Sequence, residues 1–547
     1  MTVLDPTRNF AHGELERRRV LAAALGGGLA LSGMAAPALA APGLRVLRSA
    51  EQLDRAYDYV IVGAGSAGCV LAHRLSRAGR RVLLVEGGGP ATLPVIADPP
   101  DWPQLQGGTV DWCYSTTPQP GLGNRVVPYP RGKVVGGSST INALAYQRGH
   151  PAAYDRWPPG WRYAELLPYF KRAETFSGGA SDWRGGDGPL HVLSLADVPD
   201  RSPVAEAFVQ ASQARGFPTT PDIGGMATTG VGWNQLTIKG NVRDDAATAY
   251  LASAEGAGVD LLVHERVLGL VIERGRCVGL RLSGTIVRPT MEVLLCAGAI
   301  DSPRLLMLSG IGPADQLRRL DIPVAVDLPE VGQHLEDHLL LAGVAFAARR
   351  DVPRSRYNHA DALLYVPNRD PRESPDILVM CVTLPFVLPG VGPLASPAYV
   401  LTPCLMRPYS RGSVTLASND PLAPALIDPA YLSDPADLDV LVAGVELARD
   451  IGSAAAFDDW RAQEIYPGPG WADVAHRRDF VMRAANSFHH PVGTCRIGPV
   501  VDEALRVRGL AGLRVIDASV MPGIPQAMTN AATTAIAERA SDIVLAG

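Results

Sequence analysis

The sequence predicts an α/β protein built on a parallel sheet. Three stretches carry that expectation: the run Tyr59-Val60-Ile61-Val62, the run Val82-Leu83-Leu84-Val85 that follows it, and the strand–turn–helix pattern of EVLLCAGAIDSPRLLML. Each strand candidate is continuously apolar, as in strands covered on both faces.

The elements follow in chain order. Arg17, Arg18 and Arg19 precede an uncharged run rich in Ala, Gly and Leu that ends at Ala38-Leu39-Ala40. A basic start, an apolar middle and a small-x-small end make an export leader, and Arg17-Arg18 resembles the twin-arginine signal. The run is also long enough for a membrane anchor. The expectation is a leader over residues 1–40, cleaved on export to the periplasm and leaving no membrane span.

Between the first two strands stands Gly63-Ala64-Gly65-Ser66-Ala67-Gly68, followed by an alanine-rich helical pattern to about Arg77. Gly63 allows a tight turn, Gly65 lets a diphosphate approach the backbone, and Gly68 lets the helix pack close to the strand. The helix start, at Ser66, offers free N–H groups to the diphosphate. Glu86, at the end of the second strand, can accept ribose hydroxyls. This setting predicts an adenine dinucleotide and leaves FAD and NAD open, while the acid disfavours NADP.

GKVVGGSSTIN (residues 132–142) is a glycine-rich loop with free N–H donors, suited to a flat polar ligand or to a simple turn. In GAIDSPRLLMLSGIG, Ser302 as N-cap and Pro303 at the first helical position predict a helix start. VDLLVHERVLGLVIERGRCVGLRL alternates like successive strands, and LDVLVAGVELARDIG has helical spacing. DILVMCVTLPFVLPGVGPL reads as a buried strand and loop, or as an apolar channel wall. In FHHPVGTCRIG, proline and glycine hold His489 and His490 on a loop, which suits either catalysis or a structural histidine.

At 547 residues the chain is long enough for two cores, and 47% hydrophobic against 19% charged residues excludes disorder. A net charge of −5 without a basic stripe argues against nucleic acid as a partner. Seven scattered cysteines lack zinc spacing and predict free thiols, with a disulfide left open for an exported protein.

GKVVGGSSTIN and GAIDSPRLLMLSGIG together resemble the two signatures of the glucose–methanol–choline (GMC) family of FAD-dependent oxidoreductases. VGQHLEDH, YSRGSVTL, FHHPVGTCRIG and LRVIDASVMP resemble further family blocks in the same order. The resemblance implies an α/β (α+β overall) fold. A Rossmann-like FAD-binding domain would comprise 43–150, 222–340 and 485–547. An inserted substrate domain of antiparallel sheet and helices would comprise 151–221 and 341–484. It implies oxidation of an alcohol to an aldehyde or ketone, with His490 as base and hydride transfer to flavin N5. Electrons would pass to oxygen or a quinone-like acceptor. Implied cofactor contacts are Gly63, Gly65, Ser66, Gly68, Glu86, Gly137, Ser138, Asn142, Asp517 and Ala518. Ile141 stands where some relatives attach FAD through histidine, so non-covalent FAD is expected.

The family's second catalytic His or Asn falls here on Met528, which makes no strong hydrogen bond. Asn530, His489 or a water would take that role, with His489 expected to face away from His490. Met528 keeps open a lyase or a photodecarboxylase-like reaction, and a non-catalytic flavin-binding protein is a separate alternative. It also suits an apolar ceiling over a substrate of distinctive shape, and a channel wall at 376–394 would favour a hydrophobic or aromatic alcohol. His334 and His338, four apart, could bind a metal if helical, but no third ligand is evident and no metal is expected.

Overall fold

The computed structural model describes residues 42–547 except 226–227, 254–255, 257, 369–373 and 387–390. The expected leader lies outside the described residues. Six parallel strands form the first sheet, in the order Leu44–Leu47, Val259–Leu262, Val82–Val85, Tyr59–Val62, Glu292–Leu295 and Leu513–Val515. The runs at 59–62 and 82–85 are buried along their whole length, as their unbroken apolar character requires. Helices Ser66–Arg77 and Thr529–Ala546 pack together beside this sheet. Buried Glu538 ties the region together by accepting from Arg74, Arg172 and the Tyr250 hydroxyl.

A second, antiparallel sheet runs Arg461–Tyr466, Val344–Ala348, Ala398–Leu405, Ile377–Val382, Ala362–Val366 and Gly230–Trp233. Helices Pro203–Ala214 and Pro435–Gly452 share its core. Here the chain departs from the expected boundaries. Gly230–Trp233, expected in the cofactor domain, completes the edge of this sheet by pairing with Ala362–Val366. Conversely, Tyr154, Trp157, Trp161 and helix Tyr163–Ala173, expected in the substrate domain, join the core under the parallel sheet. That helix buries Leu166 and Phe170, and its Arg172 joins Arg74 on the buried carboxylate of Glu538.

The helix expected to begin at Ser302 begins at Gly298 and ends at Leu308, with Pro303 inside it. Proline has no N–H to give the carbonyl four residues back. That carbonyl, of Ala299, instead accepts from the Thr494 hydroxyl at 2.7 Å. All seven cysteines are free thiols, Cys113 exposed and the others buried. Among the described residues, no helix is long and apolar enough to cross a membrane.

Candidate active site

One cavity runs from the C-terminal ends of the parallel strands to the inner face of the antiparallel sheet. Its first end is the turn after Tyr59–Val62. Gly63 has φ +98°, and a Cβ on it would lie 2.6 Å from the Cys296 carbonyl. A Cβ at Gly68 would lie 1.9 Å from the Gly63 oxygen, so only glycine lets the helix start this close to the strand. Gly65 and Ser66 line the cavity. Glu86 does too, buried, with its two oxygens accepting from the N–H groups of Ala64 (2.9 Å) and Gly88 (2.8 Å). Burial pushes its carboxyl up to about 7.

The glycine-rich loop crosses over this turn. A Cβ at Gly137 would sit 2.6 Å from Gly65 Cα, so the two bare backbones meet in the cavity wall. Ser138 accepts from Gly132 N–H, and Asn142 Oδ1 accepts from Leu144 N–H and Arg243. Asp517 lines the cavity beside Ala518. Its carboxylate holds the N–H of Gly298 (2.9 Å) and the Ser302 hydroxyl (2.5 Å). Ser302 is therefore a strut to Asp517 rather than a helix cap.

The histidines occupy a bulge. Leu339 pairs with Ser487, and Glu336 pairs with Val492. Two residues on one strand thus oppose four on the other, and the excess at 488–491 is displaced toward the cavity. Every backbone donor of the bulge is accounted for. Phe488 N–H donates to the His338 carbonyl (2.9 Å), His489 N–H to Ser487 Oγ (2.9 Å) and His490 N–H to Asp337 Oδ1 (2.7 Å). Pro491 has none to place. Asp337 also accepts from Ser487 and Tyr431, and Arg131 donates to the His489 carbonyl.

His490 Nδ1 lies 3.1 Å from His338 Nδ1, and His338 Nε2 lies 3.2 Å from the Met406 carbonyl. Burial pushes the His338 imidazole down to about 3. Burial, with His338, His489 and Arg131 nearby, holds His490 well below the usual imidazole range. His490 is therefore neutral and able to accept a proton.

Several expectations are revised here. His489 has φ +65°, which breaks the alternation that would turn it away, and both histidines line the cavity. Asn530 lines the cavity, but its Oδ1 accepts from Ser66 Oγ (2.8 Å), placing it at the nucleotide turn. Met528 also lines the cavity, with the Tyr365 hydroxyl 3.8 Å from its sulfur. Gln333–Leu335 is strand, and His334 has φ +58°, so His334 and His338 do not share a helical face. His334 pairs with Glu330 instead. Sequence reasoning missed Asp337 and His338 as supports of His490. Their adjacency in VGQHLEDH was visible, but the pairing across 152 residues was not.

The cavity fits FAD: a side-chain-free glycine floor at Gly65 and Gly137, a buried carboxylate at the strand end, and neutral histidines at the opposite end. Residues 57–340 match the N-terminal part of the GMC oxidoreductase family, and residues 408–537 its C-terminal part. The chain is 37% identical to pyridoxine 4-oxidase of Microbacterium luteolum over 505 residues, covering 88% of this chain and 98% of the relative. It is 36% identical to oxygen-dependent choline dehydrogenase of Rhizobium etli over 529 residues, covering 89% and 95%. The crystal structure of pyridoxine 4-oxidase from Mesorbium loti superposes with a TM-score of 0.85 at 37% identity, covering 89% and 98%. The chain belongs to the GMC oxidoreductase family, enzymes that act on CH–OH groups.

Proposed function

We propose that the protein oxidises a neutral, hydrophobic or aromatic alcohol to an aldehyde or ketone, with His490 as base and FAD held without a covalent bond. The observation that carries this reading is His490 itself: neutral, at the cavity, and tied through Nδ1 so that Nε2 is left to the substrate. His490 takes the hydroxyl proton. FAD, when bound, supplies the acceptor for the hydride that leaves the carbinol carbon. Asp337 and the bulge hold the base in place, and Glu86, Gly65 and Gly137 hold the cofactor.

The far wall supports the substrate class. Leu340, Met380, Val382, Phe386, Phe488 and Met528 line it, whereas Glu86, Asp301 and Asp517 line the nucleotide end. An apolar wall favours an uncharged ring or chain over a quaternary ammonium. Ile141 has no nucleophile for a flavin bond. The relatives named pyridoxine 4-oxidase and oxygen-dependent choline dehydrogenase favour oxygen as acceptor over a quinone-like molecule.

The test is an alcohol panel, benzylic and aliphatic against choline, assayed with oxygen and with a dye acceptor. Anaerobic addition of a good substrate should bleach the flavin; a lyase would leave it yellow. Release of flavin by acid precipitation tests the non-covalent attachment. Export through the twin-arginine route is proposed from Arg17-Arg18 and the Ala38–Ala40 site. N-terminal sequencing of periplasmic protein tests it.

A further inference from the structure

The pair His338–His490 carries more than contact. The Met406 carbonyl has only lone pairs, so the His338 nitrogen facing it, Nε2, must be the one that bears hydrogen. A neutral imidazole has one N–H, which leaves His338 Nδ1 bare. His490 Nδ1 faces that bare nitrogen at 3.1 Å and must donate to it. The only nitrogen of the pair then left to accept from a substrate is His490 Nε2.

We propose that His338 is a positioning residue that fixes the tautomer of His490, with the Met406 carbonyl as the origin of the order. The inference rests on His490 being the base. The rings meet edge to face, at 90° with centroids 5.3 Å apart. When the alcohol proton reaches His490 Nε2, an O–H bond breaks and an N–H bond forms. The resulting imidazolium keeps its Nδ1–H on His338. This is the orienting role of the carboxylate in a Ser-His-Asp triad, here given to a neutral ring. A neutral orienter suits this place. Asp337 already sits on the His490 backbone N–H, and Arg131 and His489 stand nearby. Tyr129, Tyr431 and Ser487 surround Asp337.

Two substitutions separate the roles. His338→Phe keeps a ring but removes the acceptor. His338→Asn places a carbonyl oxygen near the former Nδ1. With flavin content and thermal midpoint measured in parallel, H338F should slow anaerobic flavin reduction by about 100-fold or more. Its substrate dissociation constant should stay near wild type, and H338N should recover most of the rate. The pH profile of H338F should shift or lose its acid limb. Wild-type rates in H338F would overturn the proposal while leaving His490 as base; wild-type rates in H490N would overturn the base assignment itself. If H338F does not fold, ¹⁵N-histidine spectra of the flavin-loaded wild type decide, with H490N supplying the assignment. A protonated Nδ1 and bare Nε2 at residue 490 support the relay, and the reverse tautomer overturns it.

Discussion

The Thr494 hydroxyl donates to the Ala299 carbonyl at 2.7 Å, filling the place of the N–H that Pro303 lacks. It joins the GAIDSP helix to the HPVGTC segment that bears the base. Removing the hydroxyl leaves a buried acceptor without a donor, a loss of about 1–3 kcal/mol. Thr494→Val should lower the thermal midpoint. Adding Pro303→Ala, which restores an N–H at that turn, should recover part of the loss. Non-additivity in the four-protein cycle is the measurement; strict additivity contradicts the assignment.

His490→Ala should reduce the rate of anaerobic flavin reduction by about 10²–10⁴-fold, the range for loss of a general base. The flavin spectrum should persist, because the glycine floor and Glu86 lie at the other end of the cavity. Loss of rate and colour together would point to a structural role instead.

The pH dependence follows from the direction of the His490 shift. The base works when neutral. Burial keeps it neutral well below pH 6.5, so protonation sets in only on further acidification. Flavin reduction by a non-ionising alcohol should stay flat from about pH 8 down through 6.5, with any acid limb below that point. Stopped-flow traces across this range provide the check, and an acid limb centred above about 6.5 would contradict the burial argument.

Glu86→Ala strips acceptors from the buried N–H groups of Ala64 and Gly88 at once. Flavin content after purification should fall sharply, and the thermal midpoint with it. Glu86→Gln retains one acceptor and should lie between the two. Absorbance at equal protein concentration reports the ranking.

Met528→Ala opens the apolar wall beneath Tyr365. Stability should fall by about 2–5 kcal/mol, and bulkier benzylic alcohols should gain in kcat/KM relative to small ones. A uniform loss across the panel would place Met528 away from the substrate.

Features written within one short stretch were legible in the sequence: the turn at Gly63–Gly68, the flanking buried strands, and the helix at Pro435–Gly452. The start of the Gly298 helix was not, because Ser-Pro is a good helix opening by itself and the donor that tolerates Pro303 comes from residue 494. The orientation of His489 was missed for a similar reason. Alternation holds in a regular strand, and the bulge exists only because two distant strands pair out of step. Domain limits failed at Gly230–Trp233, whose partner strand begins at Ala362.

The parallel sheet draws its strands from residues 44 to 515, and the helix Thr529–Ala546 closes over the one that follows the nucleotide turn. A nascent chain therefore makes the phosphate-binding turn long before the pieces that brace it. Cofactor capture therefore waits for that helix, and a chain terminated ahead of it would hold no flavin.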